Sequence, residues 1–252
     1  MKARILPSLA LGVGLLALWE LYVRWAHIDP LLLPTPTAVA RYLAQNQALF
    51  GRNALATLSE LLVGFTAGVI VGLALGVLMN AWRGFRDATY PWLVATQMVP
   101  IPAVAPILVL WFGFTLTPKA TTVALMCFFP VAVSTVDGLG AVNPEMIRLL
   151  RSFGARPWTV VRMAALPSAL PRIFSGIRVA MALSVVGAVV GEWVGSTRGL
   201  GYLMLHFENR GETAGLFATV TVLTFMGIIL FFLVGWVEAL VLPWRKYAKE
   251  TL

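Results

Sequence analysis

Charge is what this chain has least of. Only 12% of its 252 residues are Asp, Glu, Lys or Arg, where an ordinary soluble domain carries about 25%. So little charge cannot cover a large soluble core, and with 59% hydrophobic residues the chain reads as an all-α membrane protein. Cysteine is nearly absent. Cys127 stands alone inside an apolar run, so no intrachain disulfide can form, and buried packing is its default role. The two histidines, His27 and His206, have no second His, Cys or carboxylate at ligand spacing, so no metal is expected. There is no GxxxxGK[ST] loop to cradle ATP. There is no GxSxG elbow and no HExxH pair, and the GLG at 199–201 is not a dinucleotide fingerprint. No catalytic residue and no cofactor is expected.

What is present is a series of apolar runs. A bilayer core needs about 20 apolar residues in a helix. Six spans are expected, at residues 5–23, 54–82, 90–112, 120–136, 173–194 and 214–241. The first follows Lys2 and Arg4 but has no small-x-small cleavage site after it, so it reads as a retained anchor with the N-terminus inside. Glu20 within it is expected to face other protein. Pro34-Thr35-Pro36-Thr37 reads as a turn into a short amphipathic helix over 38–49. Gly64, Gly68, Gly72 and Gly76 recur every fourth residue, a ladder suited to close helix packing. The third span is interrupted by Pro91, Pro100, Pro102 and Pro106, and its freed carbonyls need protein or cavity water. Residues 113–119 are expected as a short outer loop and 202–212 as a polar outer stretch. Glu192 lies near the outer end of the fifth span, either as a site residue or as a group that pairs locally with Arg198 or caps the outer loop.

The longest polar-studded interval, residues 143–172, reads as two short helices joined by a break. Asn143 can cap a helix, Pro144 suits its first position, and Glu145 complements the positive end. Met146, Leu149, Leu150 and Phe153 form one apolar stripe. Gly154 fits the left-handed residue that ends a helix, and Arg156 precedes a proline and is pushed out of helical geometry. Pro157 opens the second helix. Leu166-Pro167 is expected to close it, and Pro171 to prevent a restart.

This interval resembles the cytoplasmic signature of ABC importer membrane subunits: Glu-Ala-Ala, three residues, Gly, nine residues, Ile-x-Leu-Pro. Gly154 is followed after nine residues by Ala164-Ala165-Leu166-Pro167, so the Gly-to-Leu-Pro spacing matches. Arg148-Leu149-Leu150 stands where Glu-Ala-Ala would be, and Ala164 replaces Ile. LLLPTPTAVA, VLWFGFTLTPKA, LLRSFGA and EWVGSTRGLGYLM look like the branch handling nitrate, sulfonates, taurine and thiamine- or riboflavin-type precursors. The resemblance implies a type I importer permease fold of six transmembrane helices with a cytoplasmic coupling loop at 137–172. It also implies two cytoplasmic ATPase subunits, a second permease copy (a homodimer) and an extracytoplasmic solute-binding protein. Glu145, Arg148, Leu149, Arg151, Phe153, Gly154, Arg156, Leu166 and Pro167 are the expected ATPase-coupling residues.

Charge placement agrees with this topology. With both termini in the cytoplasm, twelve basic residues fall on inner segments and six on outer ones, in keeping with the positive-inside rule. The same scatter argues against nucleic-acid binding despite the net charge of +8. A six-span chain with no energy-converting site must be driven by a partner. A stand-alone channel or secondary transporter would need midplane carboxylates and usually an internal repeat, and neither is found. An intramembrane enzyme would need paired catalytic groups. The expected path residues are Met98, Pro100, Pro102, Phe128 and Glu192. Trp92, Met98, Phe128 and Phe129 suit an uncharged ring compound such as a thiamine precursor, pyrimidine or flavin better than an oxyanion such as sulfonate, taurine or nitrate.

Overall fold

The structure is a computed structural model that describes residues 2–244, leaving out the side chains of residues 2–6, 8 and 9. The expectations placed on Lys2, Arg4, Arg245, Lys246 and Lys249 lie outside the described side chains. Among the described residues every regular element is a helix. Four helices are long and apolar enough to cross a membrane: Gln47–Ala81, Leu116–Gly140, Pro157–Trp193 and Thr213–Val241. A bent pair, Arg83–Met98 and Ile101–Phe112, makes a fifth if counted as one span. The expected first span lies in helix α1 (Lys2–Trp25).

One compact unit comprises Met1–Thr57 and Ser196–Phe225. Thr35 caps α2 (Pro36–Gln45) by accepting from the Ala38 N–H, and Pro36 occupies the first helical position. The helix expected at 38–49 therefore starts earlier and stops at Asn46. The next helix, α3 (Gln47–Ala81), opens well before the expected start of the second span. Glu20 of α1 faces protein: it accepts from the Thr37 N–H and hydroxyl. The polar stretch expected at 202–212 is instead mostly helix α10 (Leu200–Arg210). Its open N-terminus is satisfied from α3, where Asn53 Oδ1 accepts from Gly199 N–H at 2.7 Å and Thr57 Oγ1 accepts from Leu200 N–H at 2.8 Å. Tyr42, Phe50 and Phe207 pack ring against ring.

The second unit comprises Leu58–Gly195 and Met226–Leu252. At its centre is α6 (Leu116–Gly140). The glycine ladder of α3 lies directly on it. A Cβ on Gly68 would sit 2.7 Å from the Cys127 Cβ, and one on Gly72 would sit 2.6 Å from the Phe128 carbonyl. The two helices thus meet backbone to backbone, which only small residues permit. On its other side α6 packs α9 (Leu166–Trp193). There Gly187 and Gly191 approach the Cα atoms of Val123 and Lys119. Leu61, Val123, Cys127, Val131, Ala180, Met181, Ala188, Leu230 and Val234 fill the core between these helices and α11 (Thr213–Val241).

The expected third span is two helices, α4 (Arg83–Ala95, extended by a 3-10 turn to Met98) and α5 (Ile101–Phe112), bent by 96°. Val99, preceding Pro100, is extended at φ −81°, ψ 117°, as sterics before proline require. The opposite correction applies at Leu166-Pro167. The helix does not close there, nor does Pro171 stop it. Helix α8 (Pro157–Val160), a π-helical turn at Val161–Ala165 and α9 form one continuous run to Trp193. The widened turn just before Pro167 gives the ring room where a regular turn would clash.

Candidate functional site

The helix–Gly–helix element is built by local chemistry. Asn143 Oδ1 accepts from Glu145 N–H at 2.8 Å and opens α7 (Pro144–Ser152). Glu145 stands in its first turn and Arg151 in its last, each favourable to the helix dipole. The exit is a Schellman turn. Ala155 N–H reaches Leu150 C=O and Gly154 N–H reaches Arg151 C=O, with Gly154 at φ +74°. Arg156 is extended at φ −66°, ψ 153° and Pro157 restarts the chain as helix.

The apolar stripe divides. Leu150 is half-buried, while Met146, Leu149 and Phe153 are exposed, Phe153 to 81%. Trp158 (73% exposed), Val161, Met163 and Leu166 continue the uncovered apolar surface. Arg148, Arg151, Arg156 and Arg162 stand exposed around it, and Pro167 is half-buried. Contiguous exposed apolar surface with a charged border is the signature of a contact face.

The structure brings together only some of the expected path residues. Met98, Pro100 and Pro102 are exposed at the α4–α5 bend. Phe128 is partly buried against the cluster formed by Met79, Leu93, Ala132 and Val136. Glu192 is 1% exposed and lies at the end of α9 where Gly191 meets Lys119. From Lys119 to Phe128 is nine residues along α6, roughly 14 Å at the helical rise, so Glu192 and Phe128 belong to different levels of the unit.

Two ion pairs are not given by the sequence reading. Lys119, expected in an outer loop, is inside α6 and buried, and its Nζ donates to Glu60 Oε1 at 2.7 Å. Arg178 pairs with Glu238 and lies over the Phe231 ring at 5.7 Å. Glu60, Arg178 and Glu238, each an ionisable residue in an apolar run, are the visible signals, since a charge at that depth demands a partner. Among the described residues no cluster of His, Cys, Asp and Glu could hold a metal.

Comparison with known proteins places this geometry. Residues 64–247 match the family described as binding-protein-dependent transport system inner membrane component. The formylaminopyrimidine transport permease protein ThiX of Halalkalibacterium halodurans is 36% identical over 92% of this chain and 93% of its own length. The riboflavin transport system permease protein RibX of Chloroflexus aurantiacus is 36% identical over 95% and 91%. The taurine transport system permease protein TauC of Escherichia coli is 29% identical over 92% and 86%. In fold, the chain is similar to a chain of the inward-facing MetNI methionine ABC transporter, with TM-score 0.64 and 21% identity over 79% of this chain and 97% of that one. The family match over residues 64–247 and the 36% identity to a permease along nearly its whole length show that the chain belongs to the family of binding-protein-dependent transport system inner membrane components, the permease subunits of ABC importers.

Proposed function

We propose that this permease forms the path for a small ring compound, a pyrimidine-type thiamine precursor or a flavin, handed over by an extracytoplasmic binding protein. Its likeness to the formylaminopyrimidine and riboflavin permeases supports that class. The aromatic and methionine side chains around the α4–α5 bend suit such a ring. The path would run past Met98, Pro100, Pro102 and Phe128, with Glu192 at its outer level. An oxyanion such as taurine is the competing solute, and the taurine permease is the relative that favours it.

The observation that carries the mechanism is the uncovered apolar face of α7, Gly154 and α8, ringed by Arg148, Arg151, Arg156 and Arg162. In this reading the segment faces the cytoplasm, as do both termini. Leu149, Phe153 and Leu166 seat in a groove of an ATPase subunit, and Arg151 and Arg156 meet acidic groups on its rim. Glu145 and Pro167 hold the two helices in shape. Two permease copies and two ATPases then complete the importer. ATP-driven movement of the ATPases would displace this face and switch access from one side of the membrane to the other.

Reconstitution with the ATPase and binding protein tests both parts. Labelling of a cysteine at Phe153 from inside only, and its protection by the ATPase, is expected; labelling from outside overturns the coupling assignment. Binding-protein titration with formylaminopyrimidine, riboflavin and taurine decides the solute, and preference for taurine overturns the ring-compound reading.

A further inference from the structure

Three residues on α11 hold the side chain of Arg178 from α9. Phe231, Gly235 and Glu238 stand at i, i+4 and i+7, so they share one stripe of the helix. The Phe231 ring centroid lies 5.7 Å from Arg178 Cζ, within cation–π reach. A Cβ on Gly235 would sit 3.0 Å from Nη2 and 3.4 Å from Cζ, so the missing side chain gives the guanidinium its seat. Glu238 is buried and pairs with Nη2. The Arg178 Nε–H is buried with no hydrogen-bond partner, which concentrates the grip on that carboxylate. Further along, the two helices share an apolar core, with Ala180, Met181 and Ala188 beside Leu230 and Val234. Apolar contact is non-directional and lets packed helices slide or turn. A planar guanidinium seated between a ring and a carboxylate fixes angle and register together.

We infer that Arg178 is a positioning residue for transport: through this cradle, movement of α9 is passed to α11. The inference rests on the coupling reading above and names the contact by which that movement leaves the helix receiving it. The run Pro157–Trp193 carries both the exposed Trp158 and Leu166 and, beyond the π-helical turn, Arg178. When displacement of the coupling face moves α9, the guanidinium draws Glu238 with it and α11 repacks in step. A purely structural pair would only answer two charges at depth. The two roles part when both charges are removed together. Removing one partner strands a buried charge, whereas replacing both with uncharged residues of similar volume restores stability. It does not restore the connection.

The test uses the whole importer in proteoliposomes with its ATPase and binding protein. It reads solute taken up per ATP hydrolysed, beside the melting temperature of the chain. Labelled formylaminopyrimidine, riboflavin and taurine are offered together, so the choice among them does not enter. Arg178→Met/Glu238→Gln is expected to melt near wild type and to recruit the ATPase. It should nevertheless take up about fivefold less solute per ATP or lower, the small end of coupling between two sites. Arg178→Lys keeps the charge without the planar fork; it should lower the ratio as well, and it decides the matter where the double variant does not assemble. A wild-type ratio in either assembled variant would overturn the role of Arg178 and leave the coupling face standing. Labelling of Phe153→Cys from outside would remove the coupling face, and this inference with it.

Discussion

Glu60 and Lys119 form an ion pair at 2.7 Å whose side chains are only 3% and 10% exposed. They join α3 to α6 across 59 residues of sequence. Removing one member of such a pair leaves a buried charge without compensation and costs about 3–5 kcal/mol, whereas replacing both can be nearly neutral. Lys119→Met should therefore lower the melting temperature of the purified protein more than the double variant Glu60→Gln/Lys119→Met does. Equal melting of the two would show that the pair does not act as a unit.

The α3–α6 seam makes a steric prediction. A Cβ at Gly72 would lie 2.6 Å from the Phe128 carbonyl and 2.8 Å from the Val131 Cβ, so the helices must separate to admit it. Overpacking of this kind costs about 1–3 kcal/mol. Gly72→Ala should melt lower than wild type, while Gly51→Ala, where nothing lies within 4 Å, should not.

At Gly154 the restriction is backbone, not space. Its φ is +74° and no atom lies within 4 Å of an added Cβ. Asn and Asp are the non-glycine residues that tolerate this conformation best. Gly154→Asn should keep membrane insertion and much of the uptake. Gly154→Asp sets a carboxylate among the apolar contacts proposed for the ATPase, and should insert normally yet lose uptake and ATPase co-purification. Wild-type uptake in the Asp variant would reject the coupling role.

Tyr42 carries a pH prediction. Burial, and then its hydrogen bond to Glu212 at 2.7 Å, push its hydroxyl up to about 12 from an ordinary 10.0. The folded state therefore holds the proton where the unfolded chain has lost it. Stability from this source is intact below pH about 10 and is lost as pH rises towards about 12. Melting followed across that window should fall more steeply for wild type than for Tyr42→Phe, which has no proton to lose.

How far these features could be read from sequence depends on how local their causes are. The Asn143 cap, the Gly154 turn and the glycine ladder are each fixed by residues within a few positions, and the spacing alone exposes them. Composition alone likewise announces the apolar helices. Proline misleads because its effect depends on what surrounds it. Pro100 breaks a helix where Val99 turns extended, yet Pro167 lies within one because a π-helical turn at Val161–Ala165 makes room, and Pro171 follows in the same helix. Lys119 looks like a loop residue until its partner, Glu60, is brought beside it. The same holds for α10, whose start is capped by Asn53 and Thr57 of a distant helix. Partners so far apart leave no periodic trace in one chain.

The unbroken run from Pro157 to Trp193 has a mechanical consequence. Trp158, at its exposed tip, is twenty residues from Arg178, roughly 30 Å along a helical axis. The π-helical turn at Val161–Ala165 and the prolines at 167 and 171 lie between them, so how stiffly that turn holds decides how much of a torque on the indole reaches the guanidinium and its partner Glu238.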